Sequence, residues 1–399
     1  MPKTMFKLDL SKPMEEQLHP GHNRWHPDIP AAFSVEPGTS FRLECKDWTD
    51  GQIKNDDNPN DIRNVNLARV HVLSGPVYVN GAQPGDLLVV DILDIGAFQG
   101  EEWGFNGIFA RENGGSFLVD EFPEAAKSIW DFEGIYTTSR HVPGVKFAGI
   151  MHPGLIGVAP SMELLQKWNE REKELRDTDP NRVPELATRP NPEAAVLGTL
   201  KGAEFDRVAM EGARTVPPRE NGGNCDIKNL SKGSRIYFPV FVKGAKLSVG
   251  DLHFSQGDGE ITFCGGIEMA GWIDLKVDVI KGGMEKYKIT ENPVFKPGPV
   301  DPHYSDFLVF EGISVDDRDG KQHYLDANLA YRRACLNAIE YLKSQGYTGE
   351  QAYMILGTAP VEGRINGIVD IPNACCTIAI PTKIFEKDIL PKINRGERK

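Results

Sequence analysis

The sequence is poor in cysteine and in positive charge, and it has no long apolar run. Six cysteines in 399 residues, with no Cys-x-x-Cys pair, do not form a disulfide framework. Lysine and arginine total 45 against 57 acidic residues, and the net charge of −12 argues against nucleic acid or an anionic membrane as a partner. No apolar run could span a bilayer, and the N-terminus lacks the apolar core of a secretory signal. We therefore expect a cytoplasmic protein with reduced thiols.

Glycine and proline, by contrast, are abundant. The 41 glycines and 28 prolines separate short runs rich in valine and leucine, at residues 68–73, 77–79 and 87–93, and further strands are expected at residues 352–356 and 377–380. Apolar residues at helical spacing predict only two prominent helices, over residues 161–175 and 325–345. This pattern favours a mainly β fold, a sandwich with jelly-roll character and a few peripheral helices, formed by residues 1–399 as a single unit.

An internal repeat divides the β region. The segment Pro-Val-Tyr-Val-Asn-Gly-Ala at residues 76–82 resembles Pro-Val-Phe-Val-Lys-Gly-Ala at residues 239–245, and each is followed by Gly-Asp-Leu. Both copies read as a strand, a turn and a second strand, which predicts a hairpin used twice. We expect two related β halves, at residues 60–160 and 200–290, followed by a helix and strands at residues 300–399.

The richest chemistry lies in residues 250–260, Gly-Asp-Leu-His-Phe-Ser-Gln-Gly-Asp-Gly-Glu. In a strand, Asp251 and His253 would point to the same face, where a carboxylate and an imidazole can bind a divalent metal. The glycines that follow would let the backbone turn sharply and bring Glu260 back to the same place. A hydrogen-bonded surface pair is the alternative interpretation of Asp-x-His alone.

A second segment, residues 221–226, reads Asn-Gly-Gly-Asn-Cys-Asp. It is either an ordinary β-turn or a nest of backbone N–H groups that accepts an anion and delivers Asp226 as a ligand. Cys225 is a weak candidate nucleophile, because no histidine partner is evident nearby. An isolated histidine such as His152 is more often a structural donor than a functional group.

Together these segments resemble the acetamidase/formamidase family of amide hydrolases over nearly the whole chain, and formamidases in particular. The motifs that carry the resemblance are residues 74–86, 152–160, 222–226, 238–245 and 250–260. Cys225 stands where acetamidase-like sequences often have methionine. The resemblance implies hydrolysis of a short aliphatic amide, formamide first, by a homo-oligomer (a trimer or hexamer) that binds a divalent metal.

The resulting hypothesis assigns a role to each residue. Glu260 would deprotonate a metal-activated water, and Gln256 would hydrogen-bond the amide. Selectivity for formamide would come from a small pocket. The remaining assignments are a metal, zinc being favoured, on Asp226, Asp251 and His253, and substrate or oxyanion contacts at Gly222, Gly223 and His152.

Two alternatives stay open at this point. One is an amidase with a thiol nucleophile at Cys225 or Cys375. The other is a non-catalytic β-sandwich protein that binds small ligands through the same loops.

Overall fold

The computed structural model describes residues 1–300 and 303–391. Within them the chain forms twenty-one strands, numbered in chain order: β1 Lys3–Phe6, β2 Arg24–Trp25, β3 Phe33–Val35, β4 Ser40–Cys45, β5 Ser74–Val79, β6 Leu87–Ala97, β7 Trp103–Ile108, β8 Ala126–Glu133, β9 Tyr136–Ser139, β10 Lys146–Ala148, β11 His152–Gly157, β12 Ala213–Arg214, β13 Gly222–Asn224, β14 Arg235–Pro239, β15 Leu247–Gln256, β16 Phe263–Met269, β17 Gly271–Ile280, β18 Val294–Lys296, β19 Phe307–Ile313, β20 Glu362–Gly367 and β21 Cys375–Pro381.

Helices are fewer. The α-helices of the described residues are α1 Asn60–Asn64, α2 Met162–Thr178, α3 Gly202–Glu211, α4 Gly283–Tyr287, α5 Ala327–Ser344 and α6 Gly349–Thr358. Short 3-10 turns occur at Met14–Glu16, Arg111–Asn113, Glu185–Ala187, Pro192–Ala194 and Thr382–Ile384. No helix of the described part of the chain is both long and apolar enough to cross a membrane.

Two large sheets form the body of the protein. The six-stranded sheet has the order β1-β4-β17-β6-β14-β18. The larger sheet runs β10-β9-β8-β7-β16-β15-β11-β13, and β5 joins it by pairing with both β15 and β3. Buried side chains of both sheets belong to one hydrophobic cluster, to which the smaller sheet contributes Leu88 and Leu275 and the larger sheet Val249 and Leu252. The predicted mainly β class with peripheral helices is confirmed.

The predicted hairpins are wrong, although the repeated segments do meet. The two strands of each copy lie in different sheets, since β5 and β15 are in the larger sheet and β6 and β14 are in the smaller one. The first strand of one copy pairs antiparallel with the second strand of the other: Val77 lies opposite Leu247, and Leu87 lies opposite Pro239. The Gly-Ala turns therefore carry the chain between sheets, a connection that strand and turn propensities alone do not distinguish from a hairpin.

The two predicted helices are confirmed. Ser161 caps α2 by accepting a hydrogen bond from the Leu164 N–H, and Asp326 caps α5 in the same way. The predicted strand at residues 352–356 is wrong, because Thr348 and Gln351 form a capping box that begins helix α6 there. A short apolar run is compatible with a buried strand or a buried helix, and only its caps and packing separate the two. Residues 68–73 likewise form a turn and a single bridge instead of a strand.

Strand β15 lies at the centre of the larger sheet and positions the site. All ten of its residues are buried, and it pairs with β11, β16 and β5. After it, the chain turns against the C-terminal part of the protein, where helix α5 covers the three-stranded sheet β19-β21-β20. Gly257 donates its N–H to the Gly357 carbonyl at the end of α6. The turn that carries Glu260 is thus held between the large sheet and the C-terminal helices.

Candidate active site

Asp251 and His253 converge at the middle of β15. His253 Nε2 lies 3.3 Å from Asp251 Oδ1, and both side chains are buried. The two side chains therefore meet as expected, but the regular alternation of side chains along a strand is not a sufficient explanation. Asp251 has a φ of 53°, so the strand departs from regular alternation at this residue.

Three further carboxylates surround this pair. Asp226 follows β13, Glu260 lies on the turn after β15, and Glu268 on β16 stands directly opposite His253. Ligand atoms of Asp226, Asp251 and His253 all lie within 4.8 Å of one another. The same holds for His253, Glu260 and Glu268. The sequence analysis did not identify Glu268. It is the one acidic residue in the otherwise apolar and glycine-containing run of residues 263–269, and this is the feature that could have revealed it.

Several polar atoms of this cluster are close together but have no hydrogen-bond partner. Asp226 Oδ1, Asp251 Oδ1, His253 Nε2 and Glu268 Oε2 are buried, and none has a hydrogen-bond partner in the described residues. His253 Nε2 and Glu268 Oε2 are 2.8 Å apart, yet their orientation is not that of a hydrogen bond. Buried polar atoms normally have partners, so a group of unpaired atoms here indicates a missing ligand.

The electrostatics support the same interpretation. Burial, with a smaller effect of neighbouring acids, raises the pKa of Glu260 to about 8 and that of Glu268 to about 8. Burial and then Glu260 raise the pKa of Asp226 well above its usual value. Burial would lower the pKa of His253, but Glu268 and Asp251 outweigh it and raise that pKa well above the ordinary range. These shifts mean that some carboxyl groups of the cluster keep a proton, and a bound cation would take the place of those protons.

Gln256 and His152 lie behind the cluster. Gln256 Oε1 is 2.9 Å from His253 Nδ1 and 3.0 Å from His152 Nε2, while its Nε2 donates to the Asp226 carbonyl oxygen at 2.7 Å. Both side chains are buried, and neither lines the cavity described below. The predicted contacts of Gln256 and His152 with substrate stay predictions, and in this structure their polar atoms orient His253 and the Asp226 loop.

Two glycines provide the room that the cluster needs. A Cβ atom at Gly154 on β11 would lie 2.7 Å from Asp226 Oδ1 and 2.7 Å from Asp251 Oδ2. A Cβ atom at Gly266 would lie 2.7 Å from His253 Nδ1. These distances are shorter than real Cβ contacts, so only glycine lets the two strands approach the cluster this closely.

The cluster forms one end of a cavity of about 530 Å³. Asp251, Glu260 and Glu268 line its polar end, and most other lining residues are apolar: Leu67, Val70, Phe117, Leu186, Val216 and Phe263. The volume is within the range of sites for drug-sized ligands, so the small pocket expected from the sequence is not observed. Leu186 comes from the short 3-10 turn Glu185–Ala187.

Unpaired polar groups also line the cavity. The Trp48 indole Nε1, His71 Nδ1 and Asn224 Oδ1 are buried, with no hydrogen-bond partner in the described residues. His71 Nε2 lies 3.8 Å from Asp251 Oδ2, and its ring lies 5.1 Å from the Trp48 ring. None of these residues was predicted to be functional, because local motifs do not single them out.

The glycines of the predicted anion nest do not line this cavity. The Gly222 N–H donates to the Arg219 carbonyl oxygen, and Gly223 pairs with Ile156 in the ladder between β13 and β11. A turn bond occupies Gly222 and the strand ladder occupies Gly223, so the oxyanion or substrate contacts assigned to them stay a prediction that this backbone arrangement does not favour. The neighbouring Asp226 does reach the cluster.

The cysteines are unsuited to nucleophilic attack. Burial, and then Asp226, raise the pKa of Cys225 to about 12, and its side chain does not line the cavity. Cys375 lies on β21 in the C-terminal sheet, outside the cavity, and burial raises its pKa as well. A nucleophilic thiol needs a lowered pKa, so the site does not support a thiol mechanism.

The chain is similar to known proteins over almost its whole length. The family model described as "Acetamidase/Formamidase family" matches residues 7–387. The chain is 66% identical to the formamidase of Methylophilus methylotrophus, over 98% of this chain and 95% of that protein. It is 63% identical to the acetamidase of Mycolicibacterium smegmatis, over 91% of each. The solved structure of a gamma lactamase from Delftia acidovorans is 62% identical and matches with a TM-score of 0.95, over 98% of this chain and 95% of that one.

Proposed function

Since the chain belongs to the acetamidase/formamidase family of amide hydrolases, we propose that it hydrolyses formamide to formate and ammonia. One observation carries the proposal. Asp226, Asp251 and His253 hold buried atoms that could bind a metal and that have no hydrogen-bond partner, and they lie beside Glu260 at the polar end of the cavity. Identity to the Methylophilus formamidase favours formamide as the first substrate. Other short aliphatic amides are expected to react more slowly.

The donor set fits a divalent metal, with zinc favoured. Asp226, Asp251 and His253 offer two carboxylate oxygens and one imidazole nitrogen, a combination that binds zinc in hydrolases. Gln256 accepts the Nδ1–H of His253 and thereby directs Nε2 toward the acids, as expected for a metal-binding imidazole. A bound ion would supply Lewis-acid polarisation of the amide carbonyl and would lower the pKa of water.

Glu260 is proposed to move the proton. It lines the cavity beside the acidic cluster, and its Oε1 accepts the Gly265 N–H at 3.3 Å. It would take a proton from the attacking water and return it to the departing amide nitrogen. This single carboxyl group then serves as base and acid in the same turnover.

The carbonyl oxygen of the substrate needs donors other than the strand glycines. Trp48 and His71 line the cavity next to each other, and His71 also lies next to Asp251. We assign these two side chains to substrate orientation. A fixed donor in a water-poor cavity stabilises developing negative charge more than water does.

The substitution Glu260→Gln tests the proposal. It keeps the size of the side chain but removes the basic oxygen, so ammonia release from formamide should fall by about 10³-fold while metal content stays near one ion per chain. Glu163→Gln on the exposed face of α2 is the matched control and should keep full activity. Loss of the metal from Glu260→Gln would instead identify Glu260 as a ligand, together with His253 and Glu268.

A second substrate class is favoured by the size of the cavity. About 530 Å³ with a largely apolar lining is far more room than formamide requires. The Delftia relative is described as a gamma lactamase, so cyclic amides are the class to compare. Ring opening of a γ-lactam with a kcat/KM above that for formamide would make cyclic amides the preferred substrates.

Two further expectations accompany this proposal. We expect self-association into a trimer or hexamer and a cytoplasmic location. Light scattering coupled to size-exclusion chromatography measures the first, and fractionation of the source cells measures the second.

A further inference from the structure

A second cavity, of about 580 Å³, lies beside helix α2 and is rich in cations. Its walls carry Lys173, Arg176, Arg189 and Arg214, together with the acids Asp177 and Glu185. It shares no lining residue with the active-site cavity. Asp177 pairs with Lys173, which leaves three arginines and Glu185 in the remaining wall.

Arg214 is the most buried of these cations. The residue is only 8% exposed, and its Nε and Nη1 donate to the carbonyl oxygens of Thr188 and Leu67 at 2.7 and 2.9 Å. No carboxylate of the described residues forms an ion pair with it. Burial lowers its pKa to about 10.

A second buried arginine stands directly opposite the first. Arg24 on β2 pairs with Arg214 on β12, and Arg24 is fully buried. Its Nη1 and Nη2 donate to the carbonyl oxygens of Asn23 and Asn191, while its Nε has no partner among the described residues. Like charges opposite each other on neighbouring strands destabilise a sheet, and burial followed by Arg214 lowers the pKa of Arg24 to about 9.

Arg176 lines the cavity as well. Its Nε is buried and has no hydrogen-bond partner in the described part of the chain. Arg189 donates to the Met210 carbonyl oxygen, and that bond leaves its positive charge in place. Backbone carbonyls satisfy some of the guanidinium hydrogens, but they carry no net charge and do not neutralise the arginines.

We propose that this cavity binds an oxyanion, namely inorganic phosphate or the phosphate group of a small molecule. Guanidinium groups present pairs of N–H donors that match phosphate oxygens, and Arg176, Arg189 and Arg214 line one space from different segments of the chain. A bound phosphate would offset the charge of Arg214 and of Arg24 behind it. The site is distinct from the acidic cluster around Asp251, which would repel the same ligand.

Calorimetric titration of the whole protein with inorganic phosphate and with pyrophosphate tests the proposal. We expect saturable binding of about one anion per chain, with an affinity that falls as NaCl is added. Arg176→Gln should weaken binding by about tenfold or more. Arg182→Gln removes the same charge from an exposed residue outside the cavity and should leave binding unchanged.

Asp251→Asn separates the two sites. It alters the active site, so it should lower amide hydrolysis without changing the affinity for phosphate. Absence of saturable binding by the unmodified protein would overturn the proposal, and so would equal weakening by Arg176→Gln and Arg182→Gln, or loss of binding with Asp251→Asn. Should thermal unfolding show that Arg176→Gln does not fold, the exposed Arg189→Gln takes its place with the same expected weakening.

Discussion

Gly154→Ala should damage the active site more than the fold. The added methyl group would lie 2.7 Å from a carboxylate oxygen of Asp226 and of Asp251, and 2.8 Å from His253 Cε1. The three groups cannot keep their positions at these distances. Overpacking of this kind costs about 1–3 kcal/mol of stability, which a folded protein of ordinary stability tolerates.

The expected loss of activity is larger than the loss of stability implies. A displacement of about 1 Å in a reacting group can cost about 100-fold in rate, and here three groups of one cluster move together. We expect kcat/KM for formamide to fall by about 100-fold or more, and metal content to fall as well. Ammonia release, elemental analysis and thermal unfolding measure the three effects on one preparation.

Gly96→Ala is the matched control. Its added methyl group would lie 2.5 Å from Trp272 Cζ2, an equally close contact, but in the six-stranded sheet and away from the acidic cluster. It should lower the unfolding temperature to a similar degree and keep metal and activity. If Gly154→Ala retains the kcat/KM of the unmodified protein, or if the two variants lose activity equally, the role assigned to Gly154 is refuted.

Three other substitutions have defined outcomes. Gln256→Leu removes the acceptor for His253 Nδ1–H and should weaken metal binding by about 10–100-fold, measured by competition with a chelator; unchanged affinity would contradict the orienting role. Cys225→Ser should keep near-normal activity, since the thiol lies outside the cavity, and a loss of about 10³-fold would restore the thiol mechanism. Trp48→Phe should lower kcat for formamide by about 10²-fold through loss of one N–H donor, and an unchanged kcat would remove Trp48 from substrate orientation.

Sequence reasoning identified the residues that share local motifs. Asp251, His253 and Glu260 lie within ten positions of one another, and composition together with turn residues predicted the mainly β class. It could not identify Glu268, His71 or Trp48. These side chains reach the cavity only because β16 pairs with β15 and because the chain near residues 48 and 71 packs against the same end of the sheet.

The errors have a common physical cause. The hairpins and the strand at residues 352–356 were inferred from local propensity, which does not specify pairing partners. The anion nest at Gly222 and Gly223, which stays a prediction, has the same origin. In the structure, the repeated strands pair between copies, a capping box begins helix α6, and a strand ladder and a turn bond occupy the two glycines. Long-range pairing decides whether a backbone N–H is free for a ligand.

The sequence by itself determined the class of fold, the family and the motif that carries Asp251, His253 and Glu260, because these depend on residue types at short spacing. Only the tertiary structure decided which polar atoms are left unpaired, how large the cavity is and which arginines are buried opposite each other. Those properties depend on contacts between strands far apart in the chain. The same contacts leave unpaired polar atoms in the acidic cluster and bring three arginines to one second cavity.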